Sequence, residues 1–562
     1  MSLNVARFAH TNPDVSAGTD EYGTTTEARA LLEKCTPQEL CDKYHLIHAA
    51  VYRWFNIGFD IFGRTTTKLQ TDITQDIFLK LNDNGFLDER TTTQLYCQEH
   101  NSFLADRFVE GECPWCSAPD ARGDQCDSCG RLLEILDLKN PRCKLDGSTP
   151  ITKDTTHIFF RLDELQPEID SFFQESSANG AWSSNGIDIT AAWLKQGLQA
   201  RSITRDMKWG TPVPLPGYQE KVIYPWFDAC IGYVSITANY TDQWQLWWRD
   251  PENVQLYQFM GKDNIIFHSI IFPASEIGTR DRWVKPHHIS TTEYLTYEGG
   301  KFSKSRGIGV FGDAAQKSGV PADVWRYYLL SHRPETGDTD FDWAAFISSN
   351  NNELLKNLGN FVNRVLKFAA SKHYDGVVPS RADYHESSFD TWIGEVNKLL
   401  ARYISELDAV KLRAGLATVL LVSQHGNQFL QSNNLSNKLA ESEPSKCATV
   451  VNYALNLVHL IAALLGPYMP DTAASICRQL NAEPMLIPDR WDAGSIQPGH
   501  HIGTPDLLFT RILPEKESEW RDLFGSDEVK KVKEEEAAKK AAKKAARKIT
   551  KGIARITVDE SK

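Results

Sequence analysis

Apolar and polar positions change their period three times along the 562-residue chain. Residues 17–34, AGTDEYGTTTEARALLEK, read as a strand end, a turn and a helix from about Thr25. Helical spacing continues through DKYHLIHAAVYRWFNIGF. Residues 91–150 lose that spacing and turn Cys-, Gly- and Asp-rich, as expected of a metal-held insertion. The apolar, aromatic stretches HIFFRL (157–162) and VIYPWFDACIGY (222–233) predict strands. VQLYQFMGKDNIIFHSIIFPA predicts a strand followed by a helix from near Lys262. Such alternation indicates an α/β domain with a parallel sheet. After about residue 318 the pattern is helical throughout, from DVWRYYLLSH and FISSNNNELLKNLGNFVNRVLKFAA to CATVVNYALNLVHLIAALLGPYM, and predicts a helical bundle. Residues 529–556 are Lys/Ala/Glu-rich and helix-prone.

Composition narrows the compartment. Apolar content of 41% is ample for several cores. No apolar run approaches the roughly 20 residues of a membrane span. The N-terminal MSLNVARFAHTNPDVSAGTDEYG lacks a signal-type apolar stretch and carries Arg7 as its single basic residue. A cytoplasmic chain with no membrane partner is the expectation. The net charge of −12 argues against a uniformly basic nucleic-acid binder but leaves local basic surfaces open.

The eleven cysteines are spaced for metal rather than for disulfides. ECPWCSAPDARGDQCDSCGR supplies Cys113-x2-Cys116, nine residues, then Cys126-x2-Cys129. Two such knuckles can give a zinc ion four thiolates, which closes the coordination shell and makes the role structural. A redox dithiol pair, or cysteines that are merely buried, is the other reading. Cys97-x2-His100 and Cys143-x2-Asp146 flank the inner four and are candidates for a second site. The alternative there is a degenerate site held by packing.

The stretch YEGGKFSKSRGIGVFG (297–312) places Lys301 and Lys304 three apart among glycines. Two ammonium groups there could offset the charge of a departing polyphosphate, although many exposed Lys/Ser loops are solvated turns. KFSKS is similar to the KMSKS signature of the class I methionyl-tRNA synthetases of the eukaryotic cytosolic type, with Phe302 for the usual Met. The chain also resembles that family in GTDEYGTTTE, FLADRFVEGECPWC, ARGDQCDSCG, YPWFDACIGYVS, FMGKDNIIFHSIIFPA, RPETGDTDFDW and ELLKNLGNFVNR, in family order over about residues 17–500.

The resemblance implies a methionine–tRNA ligase using L-methionine, ATP with Mg2+ and tRNA(Met), with structural Zn2+ and with other translation proteins as further partners. It implies a Rossmann-like catalytic domain with a zinc-knuckle insertion, followed by an all-α anticodon-binding bundle. The implied stretches are 1–90 and 151–318 for the two catalytic halves, 91–150 for the insertion, 319–515 for the bundle and 516–562 for a charged tail. By matched position, Asp20 would hold the substrate ammonium. Trp226, Ala229, Cys230, Tyr233 and His268 would line the side-chain pocket. Asp263 would bond the ribose or the amine, and Arg205 would sit near the carboxylate and phosphates. Lys301, Ser303 and Lys304 would face the phosphates, and Asn357 would help read the anticodon. Each has a plainer reading: core aromatics for Trp226 and Tyr233, a core histidine for His268, a helix cap for Asp263, a surface pair for Arg205 with Asp206.

Two departures follow. No H-x-G-H tetrapeptide occurs in the chain, although the family uses one to open its first helix and bind ATP. On that ground the first catalytic half is expected to be incomplete and methionine activation poor. The alternative function is then a catalytically impaired, truncated paralogue acting as a tRNA-binding or scaffold protein. Ser445 stands where many relatives carry an anticodon-stacking tryptophan. A sister ligase for leucine, isoleucine or valine would carry a large editing insertion, and the gap holds the cysteine knuckles instead.

Overall fold

Three parallel strand pairs form the framework of the N-terminal half. The computed structural model describes residues 15–99, 101–104, 108–122, 126, 135–144, 146–300, 302 and 309–524. Ser16–Thr19 pairs with Ile61–Arg64, and the crossover that parallel pairing requires is supplied by helices Thr24–Glu33 and Pro37–Trp54. The second of these starts on a capping box, in which Thr36 and Glu39 satisfy each other's backbone N–H. Leu256–Gly261 pairs with Pro286–Thr292, and Leu295–Tyr297 with Thr339–Phe341. Among the described residues these pairs share no ladder. The buried helix Ile231–Tyr240 lies on the first pair so closely that a Cβ at Gly18 would meet Ile236 Cδ1 at 2.5 Å.

One expected strand is mostly helix. VIYPWFDACIGY gives only the short strand Val222–Ile223; helices Pro225–Asp228 and Ile231–Tyr240 follow. Pro225 sits at the first helical position, where its fixed φ starts a turn. A run that is apolar on all sides reads the same whether it is a buried strand or a buried helix. The helix expected from Lys262 is a 3₁₀ turn at Lys262–Asn264, a π-helical turn at Phe267–Ile271 and an α-helix at Phe272–Gly278.

The cysteine-rich stretch hangs on a long antiparallel stem. Leu87–Cys97 pairs with Ile151–Phe160, from Leu87 opposite Phe160 to Tyr96 opposite Ile151. Beyond it, Val109–Glu112 pairs with Ala121–Arg122 and Lys139–Cys143.

The C-terminal half is helical, with Ser387–Asp408, Leu412–Ser432, Pro444–Leu465 and Pro470–Leu480 as its main helices. Pro444–Leu465 is long and apolar enough to cross a membrane, a property the run-length reading missed, but it is the buried centre of the bundle. Its Asn456 donates to Ile496 O at 3.2 Å and accepts from Ile496 N at 2.7 Å. Buried Arg326 ties the bundle to the crossover helix by donating to Tyr468 O at 2.7 Å and Phe55 O at 2.8 Å. The expected tail boundary at 516 falls inside a folded helix, Glu515–Phe524. Its Trp520 and Phe524 are buried against Trp343 at ring distances of 4.8 and 5.6 Å. Two buried aromatics in ten residues outweigh the charged pattern around them. The Lys/Ala-rich stretch lies outside the described residues.

Candidate active site

A group of carboxyls closes the end of the first strand pair. Asp20 and Glu21 follow strand Ser16–Thr19 directly. Glu21 is buried; it accepts from Thr19 Oγ1 at 2.7 Å and from Arg64 Nε at 2.8 Å, and also from Thr66. Asp228 is fully buried at the end of its short helix and accepts from Thr211 Oγ1 at 2.8 Å. Its other oxygen has no hydrogen-bond donor among the described residues, and burial pushes this carboxyl up to about 6. Asp20 is solvent-exposed yet crowded by protein, as in a crevice. Desolvation, then Asp228 and Glu21, push it up to about 7. Arg64 is the cation bonded into the group, and it pairs with Glu21 and Asp42 at 2.8 and 2.7 Å. The cluster therefore favours a further cation. Sequence reasoning found Asp20 and missed Glu21 and Asp228, which were visible only as acids inside quoted motifs.

An aromatic group lies close to the carboxyls. The negative charge at Asp20 is felt at both Cys230 and Tyr233. Trp226 keeps 43% of its surface exposed, with its ring 5.4 Å from both Tyr224 and Phe267. Ala229 is half-buried and Cys230 buried beside it, and burial pushes the Cys230 thiol well up. Tyr233 Oη lies 2.9 Å from His268 Nε2, and His268 Nδ1 lies 2.8 Å from Asn264 O. A carbonyl only accepts, so Nδ1 carries the proton and Nε2 accepts from the tyrosine. Burial brings His268 down to about 4, which keeps the ring neutral near pH 7. His268 sits on the π-helical turn, a local widening often found at functional sites.

Arg205 lies on the same flank. Its guanidinium stacks 4.0 Å over Tyr224 and donates to Ser202 Oγ at 2.8 Å. Asp206 bonds His157, Lys221 and Thr155. Burial alone would raise Asp206, but these three donors hold it down at about 2. Asp263 receives both its bonds from the Tyr294 hydroxyl, at 2.6 and 2.7 Å, and stays exposed. Lys301, Ser303 and Lys304 lie outside the described residues. Asn357 faces inward: it donates to Leu420 O at 3.0 Å and accepts from Ser423 and Asn427 at 3.2 and 3.1 Å. Reading a base would require exchanging those bonds.

The cysteines gather as two groups. The sulfurs of Cys113, Cys116 and Cys126 lie within 4.8 Å of one another, and so do the ligand atoms of Cys97, Cys143 and Asp146. Cys129 and His100, the expected fourth members, lie outside the described residues. Burial raises the Cys113 thiol, but hydrogen bonds from the N–H groups of Cys116 and Trp115, together with those to the Cys116 and Cys126 side chains, bring it to about 7. Soft thiolates converging on one point fit zinc, and the outer trio with one carboxylate fits it less well.

The parallel strand pairs and the helical bundle together make a two-part architecture, α/β followed by all-α. The fold matches that of the Mycobacterium tuberculosis methionyl-tRNA synthetase solved with methionyl-adenylate, with a TM-score of 0.72 at 21% identity over 90% of this chain and 93% of that one. The pattern described as "tRNA synthetases class I (M)" matches residues 5–366, and that of the "Anticodon binding domain of methionyl tRNA ligase" matches 378–529. The chain belongs to this family of class I tRNA synthetases. It is 55% identical to the probable cytoplasmic methionine–tRNA ligase of Schizosaccharomyces pombe, over 91% of this chain and 66% of the relative. It is 53% identical to the cytoplasmic enzyme of Saccharomyces cerevisiae over 91% and 68%. Against the human cytoplasmic enzyme the figures are 47%, 93% and 58%. The chain thus spans about two thirds of the length of the fungal relatives and less of the human one.

Proposed function

We propose that the chain activates L-methionine with ATP and transfers it to tRNA(Met) in the cytoplasm, the compartment named for its relatives. One observation carries the reading: a group of three carboxyls with a bonded arginine lies close to the aromatic group of Trp226, Tyr233 and His268. The carboxyls suit an α-ammonium. Trp226, Tyr233 and neutral His268 suit an unbranched thioether, through polarizable sulfur–ring contacts.

In the first step a methionine carboxylate oxygen attacks the α-phosphorus of ATP, taken as its Mg2+ complex. The bond to the β-phosphate oxygen breaks and pyrophosphate leaves. In the second, a terminal ribose hydroxyl of the tRNA attacks the acyl carbon, AMP leaves, and the hydroxyl proton passes to its phosphate. The protein's share is orientation and charge. Asp20 fixes the ammonium, and Arg205 meets the carboxylate and α-phosphate. Asp263 meets the ribose or the amine, and Lys301, Ser303 and Lys304 meet the departing phosphates. Cys113, Cys116, Cys126 and Cys129 would hold structural zinc, and Asn357 supports anticodon reading from within the bundle.

Methionine-dependent ATP–pyrophosphate exchange by the full chain tests the reading, followed by charging of tRNA(Met). Turnover on the order of 1 s⁻¹ or more, within the usual enzyme range, is expected with methionine and not with leucine. Exchange far below that would overturn the proposal.

A further inference from the structure

The helix Glu515–Phe524 touches both stems of the loop that carries the KFSKS sequence. On the entering stem, Arg521 Nε donates to both oxygens of Glu298 at 2.9 and 2.8 Å. Glu298 has φ +47°, a left-handed conformation that costs a non-glycine residue energy and persists only where neighbours hold it. The next residue, Gly299, donates its N–H to Asp340 at 2.9 Å. On the returning stem, Gly309 N donates to Phe524 O at 3.2 Å. Gly309 has φ +110°, and a Cβ there would lie 2.2 Å from the Phe302 ring. Phe302 in turn packs 5.4 Å from Tyr297 and 5.9 Å from Phe311.

The helix is itself firmly seated. Trp520 and Phe524 are buried on Trp343, whose indole N–H donates to Tyr297 Oη at 2.8 Å. Arg521 also bonds Glu517 on its own helix and lies 3.5 Å from Asp342. An isolated surface ion pair contributes little. Here one guanidinium links three carboxylates on a rigid aromatic base, within a helix that also bonds the opposite stem.

We propose that Arg521 is a positioning residue for methionine activation: through Glu298 it fixes where the KFSKS segment leaves the fold, while Phe524 fixes where it returns. The inference rests on the function proposed above. It adds that a segment more than 200 residues away, inside the stretch matched by the anticodon-binding pattern (378–529), bonds the described residues on both sides of the KFSKS stretch.

Two readouts test this on the full chain. The first is tryptic cleavage after Lys301, Lys304 and Arg306, which reports local opening and needs no activity. The second is the KM for ATP against kcat in pyrophosphate exchange. Arg521→Ala is expected to speed cleavage about tenfold, the loss of roughly one charge-assisted bond, and to raise the ATP KM more than it lowers kcat. Arg521→Lys should recover most of both. Glu298→Gln, which leaves the helix packing intact, should act like Arg521→Ala but more weakly, and it decides the matter if Arg521→Ala misfolds. Unchanged cleavage and KM in Arg521→Ala, or in Glu298→Gln where that variant decides, would reduce Arg521 to a surface ion pair. Wild-type protein without exchange would overturn the proposed function, and cleavage would still decide the clamp.

Discussion

At the scale of single residues, the carboxyl cluster makes substrate binding sensitive to pH. Asp20 and Asp228 sit at about 7 and about 6, above the ordinary carboxylate range. Between about pH 4 and those values the folded chain binds more protons than the unfolded chain. Their contribution to stability is therefore present at low pH and is lost as pH rises through about 6–7. His268, brought down to about 4, acts with the opposite sign and stays neutral across this window. An ammonium placed among the carboxyls would lower both of their pKa values, so binding methionine should release protons and tighten between pH 5.5 and 8. Calorimetric titration in two buffers of different ionisation enthalpy reads this directly; identical apparent enthalpies would reject it. Asp20→Asn should weaken methionine about 10- to 100-fold, from the roughly 1.5–3 kcal/mol of a hydrogen bond to a charged group, and flatten the pH dependence.

At the scale of elements, the two cysteine groups give the plainest forecast. Metal analysis should find at least one zinc per chain on Cys113, Cys116, Cys126 and Cys129, and Cys113→Ser should remove it. Two zincs would extend the assignment to Cys97, His100, Cys143 and Asp146. Zinc-free protein with freely titrating thiols would leave both groups as packing alone. The small cluster of Val109–Glu112, Ala121–Arg122 and Lys139–Cys143 buries little apolar surface, so chelation should loosen it before the rest of the chain. The grouping of the cysteines was legible because ligand spacing is local chemistry. Bundle helices such as Ser387–Asp408 were legible because each shows one apolar face, and Pro444–Leu465, buried on every side, was legible by its length. VIYPWFDACIGY was not, since its apolar residues cover every face and carry no period. Nor was the helix Glu515–Phe524, whose apolar side consists of Trp520 and Phe524 among charges. Glu21 and Asp228 escaped because their importance arises only when separate stretches of chain bring them to Asp20.

For the whole molecule, charge is distributed against its total. The chain carries 61 Lys and Arg against 73 Asp and Glu, yet Lys539–Arg555 holds eight basic residues and no acid. An acidic body offers such a stretch long-range attraction. A tRNA backbone offers a regular row of phosphates. Each phosphate that the stretch neutralises releases counterions and adds about 0.7–0.9 to the slope of log affinity against log salt. Deleting residues 529–562 should therefore weaken tRNA binding several-fold at low salt, lower the slope by roughly one to a few phosphates' worth, and leave methionine-dependent exchange unchanged, because the described active-site residues lie between Asp20 and His268. The deletion also stops short of Phe524, so the contacts of Glu515–Phe524 with Glu298 and Gly309 persist. A slope equal to that of the full chain would make the stretch a solvated tail with no part in tRNA binding.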